Sequence, residues 1–220
     1  MTDDDSLRAR LRGLAVFESD RGNFDPTLAP EAPHPLFVDW LDEAIAAGIP
    51  APHAMTLSTS GADGKTSARV LILKDVDVEG WQFATDAGSP KAQAIAQNPR
   101  VALSFFWPAI GRQVRITGSA SAVSEAAAAA DFLARPEGSR AATLVGHQSE
   151  TLASCEEYAQ TFERALARVR SDPELVSPSW TVYLVRADEV EFWQASDDRG
   201  HTRLHYRREA ERWSRQLLWP

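Results

Sequence analysis

Basic residues flank predicted strands and helix ends at several places in the sequence. Arg69 and Lys74 border the apolar run 70–73, and two solvated strand ends would explain them equally well. Ser89-Pro90-Lys91 combines a good helix N-cap with a proline suited to the first helical position. A helix N-terminus with free N–H groups and an adjacent cation is suited to binding phosphate. The sequence therefore contains a candidate anion site, although many helices begin in this way.

Two further segments combine basic residues with polar or aromatic ones. Residues 112–115, Arg-Gln-Val-Arg, alternate along a predicted strand, and on their own they favour an exposed barrel face. The segment Glu-Phe-Trp-Gln at 191–194 precedes Arg-Leu-His-Tyr-Arg at 203–207. An aromatic ring followed by alternating cations is typical of a stacking platform beside an anion site. Trp193 taken alone is more simply explained as a core residue.

Most familiar catalytic motifs are missing from the sequence. It contains no GxGxxG, GxxxxGK[ST], HExxH or GxSxG segment. The five histidines lack strong metal spacing, since His201 and His205 would lie about 13 Å apart on a strand. Cys155 is the only cysteine, which excludes an intrachain disulfide and a cysteine-rich zinc site. We therefore expect no metal and a reducing, cytoplasmic location.

The composition is ordinary for a globular protein with an acidic surface. The 220 residues include 23 Lys and Arg against 31 Asp and Glu, a formal net charge of −8 that disfavours binding to nucleic acid or acidic membranes. Hydrophobic residues make up 44%, enough for a substantial core. No apolar run approaches the ~20 residues of a membrane span, and the acidic N-terminus lacks the apolar region of a secretion signal.

Strands outnumber helices in the predicted organisation, and most neighbouring strands are joined by short turns. The predicted helices cover residues 37–45, 90–97, 125–134, 139–145 and 154–169, and the predicted strands cover 55–60, 67–74, 81–85, 101–107, 113–123, 180–186, 189–194, 202–207 and 212–218. The apolar run 70–73 predicts a central strand buried on both faces. Residues 1–35 predict an N-terminal arm ahead of a domain at 36–220. The pattern predicts an α+β fold, an antiparallel barrel with helices packed outside.

In this order the segments resemble the pyridoxamine/pyridoxine 5′-phosphate oxidases, which are FMN-binding split-barrel enzymes. The resemblance covers roughly residue 36 to the C-terminus and rests on Arg69-Val-Leu-Ile-Leu-Lys74, Ser89-x-Lys91, Asn98-Pro99, Phe105-x-Trp107, Arg112-Gln113-Val114, Arg135-Pro136-x-x-Ser139, Gln148-Ser149, Glu191-Phe192-Trp193-Gln194 and Arg203-Leu204-His205-x-Arg207. Each match alone is weak, but the ordered set is specific. It implies a split β-barrel with peripheral helices and a homodimer whose flavin site lies between two subunits.

The resemblance also implies roles for individual residues. The implied FMN contacts are Arg69, Val70, Leu71, Ile72, Lys74, Ala84, Thr85, Lys91, Gln113, Gln148, Ser149, Trp193 and Arg207, with Arg69 and Lys91 on the phosphate. The implied substrate contacts are Lys74, Asp131, Arg135 and Ser139 at the substrate phosphate, and the catalytic pair Arg203 and His205 over the substrate ring. The implied reaction transfers a hydride from C4′ of pyridoxine or pyridoxamine 5′-phosphate to flavin N5. O2 then reoxidises the flavin and hydrogen peroxide is released with pyridoxal 5′-phosphate.

Several positions depart from the family pattern, most of them near the substrate. Pro90 replaces a phosphate arginine, and Asp131 replaces a tyrosine that reaches the substrate phosphate. Asp131 lies four residues before Arg135, a spacing that predicts an ion pair within one helix. The segment 196–202 is longer than usual. Two alternatives therefore stay open: an FMN-dependent oxidase of a secondary-metabolite intermediate such as a dihydrophenazine-type ring, and a non-catalytic binder of flavin, haem or a B6 phosphate.

Overall fold

The computed structural model describes residues 6–14, 17, 24–197 and 199–220. In these ranges the helices are α1 (Leu7–Arg12), α2 (Pro33–Ala46), α3 (Pro90–Gln97), α4 (Glu125–Leu133), α5 (Glu137–Val145) and α6 (Cys155–Ser171). The strands are β1 (Ala54–Ser60), β2 (Thr66–Val76), β3 (Trp81–Asp86), β4 (Arg100–Trp107), β5 (Arg112–Ala122), β6 (Trp180–Gln194), β7 (Thr202–Glu209) and β8 (Arg212–Leu217). No helix in the described ranges is long and apolar enough to cross a membrane.

Six strands close into an antiparallel barrel. Their hydrogen-bonded order is β3-β2-β1-β4-β5-β6, and β6 pairs back with β3 from Trp81 opposite Val185 to Asp86 opposite Trp180. β7 and β8 continue the sheet beyond β6 as antiparallel strands. The prediction of an α+β fold built on an antiparallel barrel is confirmed. The two strands predicted at 180–186 and 189–194 are instead one continuous strand, β6, so that part of the prediction was wrong.

The chain divides into two compact units. Among the described residues, the first unit contains those within Met1–His53, Ser104–Arg115 and Glu189–Pro220, and the second contains those within Ala54–Leu103 and Ile116–Asp188. The first unit has an aromatic core, in which the rings of Trp40 and Phe192 lie 5.1 Å apart, edge to face. In the second unit Phe83 and Tyr183 stack with ring centroids 5.4 Å apart. Each unit thus has its own buried aromatic contacts.

β2 is exposed on one side, contrary to the prediction that it is buried on both faces. It pairs with β1 and β3, so its backbone is central in the sheet. However, the side chain of Val70 is 65% exposed and that of Ile72 is 43% exposed, whereas Leu73 is buried. A continuous apolar run can mark a strand whose second face is left uncovered within the chain. β2 therefore presents an apolar face, Val70 and Ile72, that the described residues leave partly exposed.

Gly118 marks a point where two backbones in the second unit approach closely. A Cβ atom at this position would lie 2.2 Å from the carbonyl oxygen of Arg186. Only a residue without a side chain fits there, so Gly118 is required for packing against β6.

Candidate active site

A cavity of about 640 Å³ lies in the second unit. It is lined from β2, β3, the start of α3, the end of α5 with its following loop, α6 and the start of β6. Five of the predicted FMN-binding residues line it: Leu71, Ala84, Thr85, Lys91 and Gln148. This volume is typical of ligand sites. The cavity therefore brings together, in one chain, residues that are up to 77 positions apart in the sequence.

The start of α3 supplies a buried cation to this cavity. Ser89 caps the helix by accepting a hydrogen bond from the backbone N–H of Ala92 at 3.3 Å, and Pro90 takes the first helical position, as predicted. The side chain of Lys91 points inward with only 7% of the residue exposed, and its Nζ donates to Oγ1 of Thr85 at 3.0 Å. The N-cap and the proline determine where α3 begins, and the position of this first turn directs the side chain of Lys91 toward Thr85.

Arg69 lies close enough to Lys91 to affect its pKa. Burial lowers the pKa of Lys91, Arg69 lowers it further, and Asp86 opposes both. Arg69 donates from Nη1 to the carbonyl oxygen of Leu57 at 3.2 Å and to Oγ1 of Thr59 at 3.0 Å, and burial lowers its pKa as well. In the described part of the chain neither cation has a carboxylate ion-pair partner. Two partly desolvated cations that make no salt bridge to a described carboxylate favour binding of an anion.

A second charged cluster surrounds Trp180, which also lines the cavity. Nζ of Lys74 lies 3.0 Å from Oδ1 of Asp131, and Nε1 of Trp180 donates to Oδ2 of the same carboxylate at 2.8 Å. The guanidinium of Arg135 lies 3.9 Å from the centre of the Trp180 ring and donates to Oγ1 of Thr143 at 2.8 Å. Burial lowers the pKa of Arg135, and Asp131 opposes this shift. Lys74, Asp131 and Arg135 are therefore neighbours around one indole ring.

The predicted ion pair between Asp131 and Arg135 is not the contact that forms. Asp131 pairs with Lys74 of β2, because α4 ends at Leu133 and Arg135 lies beyond the last helical turn. Ser139, in the first turn of α5, accepts a hydrogen bond at its carbonyl oxygen from Oγ1 of Thr143 at 3.2 Å. Neither the contact of Arg135 with Thr143 nor that of Asp131 with Lys74 could be predicted from the sequence, because both join different structural elements.

The first unit gathers a different set of predicted site residues on β6 and β7. Trp193 lies opposite Arg203, and Glu191 lies opposite His205. Arg203, His205 and Arg207 share one face of β7, because the alternate residues Leu204 and Tyr206 are buried on the other. The indole of Trp193 contacts the ring of His201, with centroids 4.8 Å apart. This unit thus holds the aromatic ring and the alternating cations predicted as a stacking platform.

His205 is the more enclosed of the two predicted catalytic residues. Its Nε2 lies 3.8 Å from a carboxylate oxygen of Glu189, and its side chain is 14% exposed. Its Nδ1 is buried and has no hydrogen-bond partner among the described residues. Each of the three guanidinium nitrogens of Arg203 instead donates one hydrogen bond, from Nε and Nη2 to Glu191 and from Nη1 to Trp219.

The segment 112–115 is not the simple exposed face that its alternation favours. Arg112 is buried and pairs with Glu43 at 2.7 Å, and its Nε donates to Oε1 of Gln194 at 2.8 Å. Gln113, a predicted FMN contact, is half-buried between Arg112 and the buried Val114. Arg112 therefore has a structural role in the first unit.

The predicted cofactor residues thus fall into two groups. The second unit holds Arg69, Val70, Leu71, Ile72, Lys74, Ala84, Thr85, Lys91, Gln148 and Ser149, and the first holds Gln113, Trp193 and Arg207. Gln148 lies between two residues with positive φ, His147 at 58° and Ser149 at 72°. These values are uncommon for residues with side chains, so the loop that carries Gln148 has a constrained backbone.

Two family models match this chain. One, described as "Pyridoxamine 5'-phosphate oxidase", matches residues 41–194, and another, described as "Pyridoxine 5'-phosphate oxidase C-terminal dimerisation region", matches residues 180–220. The chain belongs to the pyridoxamine 5′-phosphate oxidase family. It is therefore an FMN-dependent oxidoreductase, and the predictions of family, enzyme class and cofactor are confirmed.

Relatives in this family resemble the chain over most of its length. A pyridoxine/pyridoxamine 5′-phosphate oxidase of Kineococcus radiotolerans is 44% identical over 196 residues, covering 87% of each chain. One of Thermosynechococcus vestitus is 40% identical over 217 residues, covering 97% of each chain. PhzG from Burkholderia lata, solved in complex with tetrahydrophenazine-1-carboxylic acid, has a TM-score of 0.85 and 29% identity, covering 90% of this chain and 98% of its own.

The residues around the cavity fit the cofactor of this family. FMN carries a phosphate, and Arg69 and Lys91 are cations that make no salt bridge to a carboxylate in the described part of the chain. The N-terminus of α3 adds backbone N–H groups and a favourable dipole beside Lys91. The donor set therefore fits an anionic phosphate in spite of the proline at position 90.

Proposed function

We propose that this enzyme oxidises pyridoxine or pyridoxamine 5′-phosphate to pyridoxal 5′-phosphate, with O2 as acceptor and hydrogen peroxide as the second product. The observation that carries the proposal is the cluster of Lys74, Arg135 and Asp131 around Trp180, a residue that also lines the cavity. Two cations beside a flavin cavity suit a substrate that is anchored by its own phosphate. The names of relatives at 40% identity or more support this substrate class.

In this proposal the chain's residues bind and orient, and the chemistry resides in the flavin. Arg69 and Lys91 hold the FMN phosphate, and the other predicted cofactor residues contact the rest of the molecule. When bound, FMN supplies the hydride acceptor and the reaction with O2. Lys74, Arg135 and Ser139 hold the substrate phosphate. Arg203 holds an oxygen of the substrate ring or stacks on it, and His205 donates a hydrogen bond to it.

We also propose that the enzyme acts as a homodimer with shared flavin sites. The C-terminal match is to a region described as a dimerisation region. The apolar face of β2, Val70 and Ile72, is partly exposed within the chain and is suited to burial by a cofactor or a second subunit. A cytoplasmic location stays a prediction from the cysteine content.

The test is reduction of bound FMN by substrate under anaerobic conditions. Adding pyridoxine 5′-phosphate to the yellow protein should bleach the flavin, and admitting O2 should restore the colour with release of hydrogen peroxide. The double variant Arg69→Ala, Lys91→Ala should lose the yellow colour while keeping its far-UV circular dichroism. Full FMN content in that variant would show that the phosphate site lies elsewhere.

A second candidate function follows from the ion pair between Lys74 and Asp131. This contact neutralises a cation that the first proposal gives to the substrate phosphate. It favours a substrate that needs less positive charge, such as a reduced ring anchored by a carboxylate, and PhzG is similar in structure. Bleaching by a dihydrophenazine carboxylate, but not by pyridoxine 5′-phosphate, would support this candidate. Bound flavin that neither compound reduces would favour the non-catalytic binder.

A further inference from the structure

Arg203 is held by two groups to which the family resemblance assigns no role. Its Nε donates to Oε1 of Glu191 at 2.9 Å, and its Nη2 donates to Oε2 at 3.1 Å. Its Nη1 donates to the backbone carbonyl oxygen of Trp219 at 2.8 Å. All three guanidinium nitrogens are therefore engaged, and the bidentate contact fixes the plane of the group.

Glu191 is well suited to hold an arginine in one orientation. Its side chain is buried, and Nη2 of Arg115 also donates to Oε2. Burial alone would raise the pKa of Glu191, but hydrogen bonds from Arg203 and Arg115 together bring it below its ordinary value. The carboxylate is therefore ionised at neutral pH and presents both oxygens to Arg203.

Leu218 and Trp219 also contact Arg203. The backbone N–H of Leu218 donates to the carbonyl oxygen of Arg203 at 3.0 Å, and the carbonyl of Trp219 accepts from its side chain. The indole ring of Trp219 is almost fully exposed, so the backbone of this residue makes the contact. Residues 218 and 219 thus hold both the main chain and the side chain of Arg203.

We propose that Glu191 and the carbonyl group of Trp219 are positioning groups that orient Arg203 toward the substrate ring. The inference rests on the role of Arg203 in the proposed function. An arginine carries five N–H donors, and three are used here. The two that remain, one on Nη1 and one on Nη2, donate to no described residue, face a direction set by these contacts and can donate to an oxygen of the substrate.

A double-mutant cycle on the FMN-loaded enzyme tests whether Glu191 acts through Arg203. With pyridoxine 5′-phosphate as substrate, Glu191→Gln should lower kcat/KM about tenfold to a hundredfold, because a misplaced contact group costs about this much. Arg203→Ala should lower it at least as far, and adding Glu191→Gln to that variant should cause no further loss. Losses that multiply in the double variant, or no loss in Glu191→Gln, would overturn the proposal.

Asp188→Asn is the matched control for this cycle. It removes an ion-paired carboxylate from the same strand, β6, but one whose partner is Arg100. We expect its kcat/KM and its FMN content to equal those of the wild type.

A second readout does not depend on turnover. In 15N-labelled, FMN-loaded protein the Nε–H signal of Arg203, assigned by its absence in Arg203→Ala, should exchange slowly with water. Glu191→Gln should speed this exchange at least tenfold, and an unchanged rate would overturn the proposal. If the wild type oxidises no B6 phosphate, the proposed function fails, and the exchange rates alone still decide whether Glu191 orients Arg203.

The contact from the end of the chain is tested by truncation. Removing Trp219 and Pro220 deletes the acceptor of Nη1, whereas Trp219→Ala removes the exposed ring and keeps the carbonyl. The truncation should lower kcat/KM more than Trp219→Ala does, at equal dimer content by light scattering. Equal losses in the two variants would show that the carbonyl has no positioning role.

Discussion

Replacing Asp131 with asparagine should strengthen the binding of a phosphate substrate. The change removes the charge that pairs with Lys74 but keeps a side-chain oxygen that can accept the hydrogen bond from Nε1 of Trp180. Lys74 is then free to bind the substrate phosphate, and a carboxylate no longer repels that phosphate. We expect a lower KM for pyridoxine 5′-phosphate and an unchanged kcat, because neither residue of the pair touches the reacting atoms.

The size of the effect follows from the geometry of the ion pair. At 3.0 Å and an effective dielectric constant of about 20, the attraction between Lys74 and Asp131 is of order 5 kcal/mol before desolvation and screening. The two side chains keep 29% and 23% of their exposure, so the net contribution is far smaller, about 1–2 kcal/mol. At 1.36 kcal/mol per factor of ten, KM should fall about 5- to 30-fold.

The assay is hydrogen peroxide release at increasing pyridoxine 5′-phosphate, at low and at high salt. Glu125→Gln, in the first turn of the same helix, α4, is the matched control, because it changes the net charge equally without contacting Lys74. Its KM should stay within twofold of the wild-type value. Asp131→Tyr, which restores the residue usual in the family, should act in the same direction as Asp131→Asn. An unchanged or higher KM in Asp131→Asn would refute the assignment of Lys74 to the substrate phosphate.

Three further predictions concern the cofactor, the barrel and assembly. Burial and Arg69 lower the pKa of Lys91, so the affinity for FMN should weaken as the pH rises through that lowered pKa. Lys91→Arg stays protonated and should remove this pH dependence of the Kd for FMN, measured by flavin fluorescence. Gly118→Ala places a Cβ against the carbonyl oxygen of Arg186 and should lower the free energy of unfolding, measured by denaturant titration, by more than about 2 kcal/mol. Gly138→Ala, which has open space around it, should cause no such loss. Light scattering of FMN-loaded protein should give twice the chain mass of 24.2 kDa, and a flavin-loaded monomer at micromolar concentration would contradict the dimer.

Local sequence signals predicted most of the secondary structure, because the residues at helix and strand ends act on their own backbone. Ser89 and Pro90 are an example, since the structure begins α3 where their cap chemistry predicts it. The break predicted between residues 186 and 189 does not form, because β6 is continuous there. Ala187 is buried between the more exposed Arg186 and Asp188, so the alternation of a strand continues through these residues.

Tertiary contacts account for what the sequence could not predict about the site. The spacing of Asp131 and Arg135 pointed to an ion pair within α4, but the partner comes from β2. Glu191 belonged to a recognisable segment, yet its contact with Arg203 depends on the pairing of β6 with β7. The family resemblance supplied the identities of the site residues, and side-chain partners became visible only when the strands and helices were assembled.

Substitutions on the exposed face of β2 can have different effects on the stability of one chain and on its binding of a cofactor or a second subunit. A polar residue of high β-propensity, such as threonine at Val70, would improve the contact of an isolated chain with water and leave the backbone pairing intact. We therefore expect neither Val70→Thr nor Ile72→Thr to lower the free energy of unfolding of one chain. In the proposed cofactor site both substitutions would instead expose a polar group to the flavin or to the second subunit. We therefore expect substitutions at these two positions to weaken FMN binding or dimerisation more than they lower the stability of one chain.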